Sequence, residues 1–233
     1  MNTSDVTVAI PVFSRTGQLR KCLASIPDKH PVIVADDGHF EERVPLYREH
    51  GVGALYPGYD IGVGCKRKRL AESVETPFVL FLDPDNRFPE NFQRMYQYLR
   101  KHPTYGGVSG IYLEEKPRNT AARLIQLGRY LIRTRLGQPS RGEFIGQAML
   151  CRREIFKTYT WDSRFKYSRE HLDFFYGHAR AGEWTFRVLP DVTIPHVHEA
   201  SEYRERRNDK ARKEPDKKRF EDKWGVRFVP SPV

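Results

Sequence analysis

A chain of 233 residues and 27.3 kDa fits one ordinary domain, or one large α/β domain with an appended tail. Hydrophobic residues make up 39% and the mean hydropathy is −0.67, and no stretch approaches the roughly 18–20 apolar residues of a membrane span. The formal charge is +10 and is concentrated in segment 116–153, a patch that suggests an anionic partner such as a nucleotide phosphate, a lipid surface or a nucleic acid, while Cys22, Cys65 and Cys151, far apart and without C-x-x-C spacing, argue against a disulfide framework or structural zinc and for a reducing compartment.

Along the chain, the opening MNTSDVTVAIPVF lacks a basic segment followed by an apolar one, so no signal peptide is expected. Residues 6–12 (VTVAIPV) predict a buried strand, followed by a loop at 13–15 and a helix over 17–25. HPVIVA at 30–35 predicts a second strand ending on Asp36-Asp37-Gly38, and residues 41–50 a helix. A short strand at 53–56 precedes Gly62 and Gly64, which lead into a helix over 65–74. PFVLFL at 77–82 predicts an almost wholly apolar strand ending on Asp83-Pro84-Asp85-Asn86, then a helix over 89–100 and a strand over 107–113. Short apolar runs alternating with amphipathic stretches are the pattern of β-α-β units around a mostly parallel sheet.

The second half is less regular. Residues 120–136 place Ala121, Leu124, Ile125, Leu131 and Ile132 at helical spacing with arginines interleaved, predicting a basic amphipathic helix. A helix over 168–182 ends at Gly182, and a strand over 184–194 runs into Pro195-His196-Val197-His198. Segment 116–153 holds nine Lys/Arg against Glu143 alone, a net +8. Segment 199–224, which looks very basic, holds ten Lys/Arg against eight Asp/Glu and is expected to be a solvated, partly helical tail. The domain organisation predicted is a single domain over 1–198 with a charged tail over 199–233.

In an open α/β sheet ligands bind beyond the carboxyl ends of the strands, where Asp36-Asp37 and Asp83-x-Asp85 stand. Two carboxylates two residues apart, just past a buried strand, can share a hard cation such as Mg²⁺ or Mn²⁺ that keeps its waters and takes up substrate phosphates. Asp-Pro-Asp-Asn is equally a turn sequence, and residue chemistry alone leaves both readings open.

The run VTVAIPVFSR…LRKCLASI, then VIVADDG, then DIGVGCKRKRLAESVETPFVLFLDPDN, resembles the nucleotide-sugar-binding half of family 2 glycosyltransferases. GEFIGQAMLCRREIF, WDSRFKYSREHLDFFYGHARAGEW and VLPDVTIPHVH are similar to the acceptor-side blocks of the same family, in the expected order. The resemblance spans roughly residues 5–198. It implies a GT-A fold, a single α/β domain with a Rossmann-like, mostly parallel sheet, a donor half at 1–115 and an acceptor half at 116–198. It further implies metal binding by Asp83 and Asp85, with Asp85 the direct ligand and His196 completing the site in competition with His198. Asp37 and Asp36 would contact base or ribose, Pro11 and Val12 lie against the nucleotide, Pro84 sits within the metal motif, and Arg67 stands near the diphosphate. Against that role, Lys66, Arg67, Lys68 and Arg69 share one helix, most of which should face solvent.

The family's usual Glu-Asp is here Glu170-His171, followed by Asp173. The resemblance to other inverting GT-A families makes Glu170 the expected base, His171 its rival because an imidazole titrates near neutrality, and Asp173 an acceptor contact on the same helix face. The activity implied is metal-dependent inverting transfer of a sugar from a nucleotide-diphosphate donor, UDP being the family's commonest carrier, to a hydroxyl on a glycan, lipid-linked sugar or other polymer. The basic 116–153 segment suggests peripheral contact with an anionic membrane; a modified nucleic acid acceptor ranks second, and a non-catalytic nucleotide-sugar or polyanion-binding module is the alternative class. A cytoplasmic protein, with peripheral contact at the inner face of a membrane, is the expected location.

Overall fold

In the computed structural model, which describes residues 5–197, 205 and 208–230, the apolar run at residues 6–12 forms β1 (Val6–Val12), buried at every position. A parallel strand in mid-sheet is covered on both faces, so its sequence is continuous rather than alternating. The remaining strands are β2 (Val32–Asp36), β3 (Gly53–Leu55), β4 (Phe78–Phe81), β5 (Tyr105–Leu113), β6 (Ala122–Leu127), β7 (Tyr130–Arg135), β8 (Arg141–Gly142), β9 (Met149–Arg152), β10 (Thr185–Pro195) and β11 (Arg227–Pro230). The helices are α1 (Thr16–Ala24), α2 (Phe40–Glu49), α3 (Val63–Ser73), α4 (Phe92–Lys101), α5 (Ile155–Thr158), α6 (Glu170–Ala181) and α7 (Lys210–Trp224).

The described residues build an eight-stranded sheet in the order β3-β2-β1-β4-β9-β5-β10-β8 and a three-stranded sheet in the order β11-β7-β6. β1 pairs in parallel with both β2 and β4, whereas β9 runs antiparallel between β4 and β5. Residues of β1 alternate between two cores: Val8 and Ile10 pack with Leu19, Met95 and Leu99 on one face, Ala9 with Leu70, Phe81 and Trp161 on the other. Helix α4 buries Phe92, Met95, Tyr96 and Leu99, the i, i+3, i+4, i+7 stripe of an amphipathic helix. The strands and helices expected between residues 6 and 113 are present, as are those at 168–182 and 184–194.

Two expectations are corrected. Residues 120–136 are not a helix but the hairpin β6–β7, in which Leu127 faces Tyr130 across a Gly128-Arg129 turn. Gly128 takes φ +56°, a conformation open to glycine at no steric cost, and the two-residue connection fixes the hairpin register. The membrane contact expected of an amphipathic helix here therefore loses its helix. The charged C-terminal segment is likewise packed where it is described. Helix α7 buries Asp216 and Phe220, and β11 joins β7 in parallel from Arg227 to Pro230. Among the described residues no helix is long and apolar enough to cross a membrane. His198 lies outside the described residues.

Candidate active site

The carboxyl ends of β1 and β4, the first turns of α1 and α3, and the start of α6 converge on two adjoining cavities. The smaller, about 50 Å³, is lined by Pro11, Phe13, Lys66, Arg67, Pro84 and Glu170, among others. The larger, about 290 Å³, is lined by Tyr112, Arg118, Arg133, Arg135, His171 and His196, among others. Arg15, Asp83, Asp85 and Gln147 form walls of both. Sequence-predicted residues from five separate elements thus meet at one place.

Arg67 is the hub. Only 3% exposed, its guanidinium donates to Asp83 Oδ1 at 3.0 Å and to Glu170 Oε1 at 3.1 Å. Burial alone would lower its pKa, but the charges of Asp83 and Glu170 outweigh that and raise it. The basic run on α3 is divided: Lys66 and Arg67 turn inward, while Lys68 and Arg69 face out toward Glu72. Local backbone explains how the start of α3 comes so close to the loop that precedes α6. A Cβ on Gly62, whose φ is +98°, would lie 2.5 Å from Lys166 Cα, and one on Gly64 would lie 2.6 Å from the carbonyl oxygens of Asp162 and Phe165. Only glycine permits that approach. From the opposite side Asp216 of α7 accepts the backbone N–H groups of Lys166, Tyr167 and Ser168 at 3.2, 2.7 and 2.9 Å. The loop feeding Glu170 into the cleft is clamped between two helices.

Asp85 pairs with Arg15 and stands 3.6 Å from His196 Nε2, whose Nδ1 lies 2.6 Å from Glu114 Oε1. Burial opposes both charges, yet His196 and Arg15 hold Asp85 below the usual carboxylate range, while Asp85 and Glu114 raise the His196 pKa. The donor set fits a divalent cation: a carboxylate and an imidazole side by side, with a second carboxylate on the far ring nitrogen in the manner that orients metal-ligating histidines. Asp83 is turned to Arg67 instead. Among the described residues no group of three or more such side chains is gathered as for a protein-only metal cage.

Other expected residues are placed elsewhere. Asp36 and Asp37 are fully buried. Asp36 accepts from Arg43, the Tyr47 hydroxyl and the Gly38 N–H, and Asp37 from Lys66 Nζ at 2.5 Å and the Gly62 N–H at 2.9 Å. Neither lines the two cavities. Val12 is buried too, its carbonyl accepting from Lys66. Asp173, expected on the same helix face as Glu170, points away from the cleft: it accepts from Tyr159, Lys223 and Trp224 at 2.8–3.1 Å, and burial raises its pKa despite them. As an acceptor contact it is corrected to an anchor between α6 and α7. His171 stands 3.1 Å from the Ile145 carbonyl, so Nε2 donates and Nδ1 is left buried without a partner among the described residues. Burial, then the charges of Arg67 and Arg133, push its pKa well below the ordinary histidine value.

Sequence reasoning missed Arg15, Glu114 and Arg118. Arg15 lies within the VFSR run, and Glu114 follows the end of β5 as the aspartates follow β2 and β4; strand-end position was the available signal. Arg15 and Arg169, which precede α1 and α6, both adopt φ +66°, strain that non-glycine residues bear chiefly where surroundings impose it.

A family model described as glycosyl transferase family 2 matches residues 7–160. Among solved structures, S. aureus TarS 1–349 in complex with UDP-GlcNAc superposes with a TM-score of 0.61 at 14% identity, over 85% of this chain and 60% of that one. GalNAc-T7 with UDP, GalNAc and Mn²⁺ gives 0.67 at 16% identity, over 84% of this chain and 44% of that one. At such identities the likeness shows the fold, and the chain spans less than two thirds of either relative. Sequence comparison with curated proteins finds no match.

Proposed function

The chain belongs to glycosyl transferase family 2 and has its GT-A fold, and we propose that it transfers a sugar from a nucleotide-diphosphate donor to an acceptor hydroxyl with inversion at the anomeric carbon. The observation that carries this reading is the Asp83–Arg67–Glu170 chain of contacts at 3.0 and 3.1 Å, which sets the Glu170 carboxylate, the base in this proposal, beside the strand-end aspartates. Glu170 accepts the acceptor hydroxyl's proton; the acceptor oxygen bonds to the anomeric carbon as the bond to the diphosphate breaks, and the leaving group takes that electron pair. Arg67 donates to Glu170 at 3.1 Å and contributes positive charge where the leaving group gathers negative charge, the usual largest source of rate. Asp85 and His196 would hold a divalent cation, which when bound neutralises a diphosphate. His171 is the weaker candidate base, because a buried imidazole with a strongly lowered pKa has little proton affinity near neutrality.

UDP is the proposed carrier, since both structural relatives were solved with UDP or a UDP-sugar. Thermal unfolding with UDP, GDP, CDP and dTDP, each with and without Mn²⁺, tests the donor site. Binding to the native state raises the midpoint by mass action, and a metal-dependent rise with UDP that Asp85→Ala abolishes is expected. No rise with any nucleotide would overturn the reading.

A further inference from the structure

The larger cavity carries positive charge that the chain does not neutralise. Arg43, Lys66 and Arg67 each have a carboxylate oxygen within 3.1 Å, and Arg118, on the cavity wall, pairs with Glu114 at 2.6 Å. Arg133 and Arg135 line the same cavity and have no ion-pair partner among the described residues. They stand two apart on β7, so their side chains leave the strand on one face. Arg133 is half-buried, its guanidinium held 4.8 Å from the Phe144 ring centroid and 5.9 Å from that of Phe228. An arginine held through its faces by aromatic rings keeps its N–H edge free for a planar oxyanion. Its charged neighbours are cations: burial, then Arg135 and Arg169, push its pKa below the ordinary arginine value. Thr120 lines the same wall, and its hydroxyl is buried without a hydrogen-bond partner.

Gathering like charges at a half-buried site costs free energy that an anionic ligand would return. We propose that Arg133 and Arg135, with the Thr120 hydroxyl, bind an oxyanion, phosphate or carboxylate, carried by the acceptor. The cavity adjoins the donor cleft through Arg15, Asp83, Asp85 and Gln147, so a group seated there holds the rest of the acceptor within reach of Glu170. Assigning the oxyanion to the acceptor rests on the donor reading of the neighbouring cleft.

The test compares the whole chain with its Arg133→Gln/Arg135→Gln double variant by calorimetry, titrating glucose 6-phosphate, glucuronate and glucose in the presence of UDP and Mn²⁺. A guanidinium–oxyanion pair is among the stronger polar contacts, so the wild-type chain is expected to bind one of the charged sugars at least about tenfold tighter than glucose. The double variant loses that preference, while its UDP affinity stays within about twofold and it still unfolds in one cooperative transition. Equal binding of charged and neutral sugars by the wild-type chain overturns the subsite. A parallel fall in UDP affinity overturns it differently, by showing that these arginines serve the donor diphosphate. If UDP fails to bind the wild-type chain at all, the donor reading falls, while the comparison of charged with neutral sugars still decides whether an oxyanion site exists.

Discussion

Asp36-Asp37 and Asp83-Pro84-Asp85 end the two parallel strands that flank β1, yet one pair is sealed inside the protein and the other opens onto both cavities. Asp36 and Asp37 are fully buried, with Arg43, Tyr47 and Lys66 as side-chain donors. Asp83 and Asp85 keep part of their surface and line the walls. Helix α6 repeats the contrast within four residues, since Glu170 turns to Arg67 and the cleft and Asp173 to Lys223 and Trp224. Position at a strand end or a helix start brings a carboxylate near the site; whether it is available there depends on whether its donors leave it on a cavity wall, as Arg67 leaves Asp83 and Glu170, or enclose it, as Arg43, Tyr47 and Lys66 enclose Asp36 and Asp37.

The largest effects should separate these groups by what they change. Glu170→Gln is expected to lower turnover by about 10²–10⁴-fold while lowering the urea midpoint less than Asp36→Ala does, since Arg67 keeps Asp83 as a partner. Asp36→Ala should do the reverse, removing about 3–5 kcal/mol of stability because Arg43 is left buried and unpaired. Measuring turnover and unfolding on both variants checks the division, and a Glu170→Gln protein with full turnover would hand the base role to another group. A smaller loss, about 2–3 kcal/mol, is expected for Asp173→Asn, since the buried contacts to Lys223, Trp224 and Tyr159 lose their charge. Its signature is lower stability, with turnover of the remaining folded protein reduced far less than in Glu170→Gln.

The division between available and sealed groups also marks where the sequence could be read. From β1 to β4 the apolar runs and helical stripes are unambiguous, because a strand covered on both faces and a helix covered on one leave different patterns. Arg67, Asp83, Asp85 and Glu170 were visible as motif positions, and the fold brings them together. The hairpin was not visible: Ala121, Leu124 and Ile125 satisfy helical spacing while β6 buries only Ala122 fully, so periodicity misled and the Gly128-Arg129 turn was the better signal. In α7 the charged composition hid Phe220 and Asp216, whose partners lie about fifty residues earlier. Asp36 and Asp37 were legible as a pair but not as buried, since their donors come from α2 and α3.

The smallest expected effect concerns a buried group that the cleft does not use. His178, on the inner part of α6, has no exposed surface, and burial lowers its pKa from 6.5 to about 4. An unfolded chain regains the ordinary value. Between those two pH values the unfolded state binds a proton that the native state refuses, so stability falls as pH drops through this window and levels off below about 4. At pH 5 the loss relative to pH 7 is about 2 kcal/mol from this residue, and the downward shift of His171 acts in the same direction. Urea midpoints at pH 7, 6 and 5 for the wild-type chain and His178→Leu measure it. The variant should show a shallower pH dependence, whatever it loses in packing against Phe174 and Phe186, and an unchanged slope would mean that His178 is protonated as readily inside the fold as outside it.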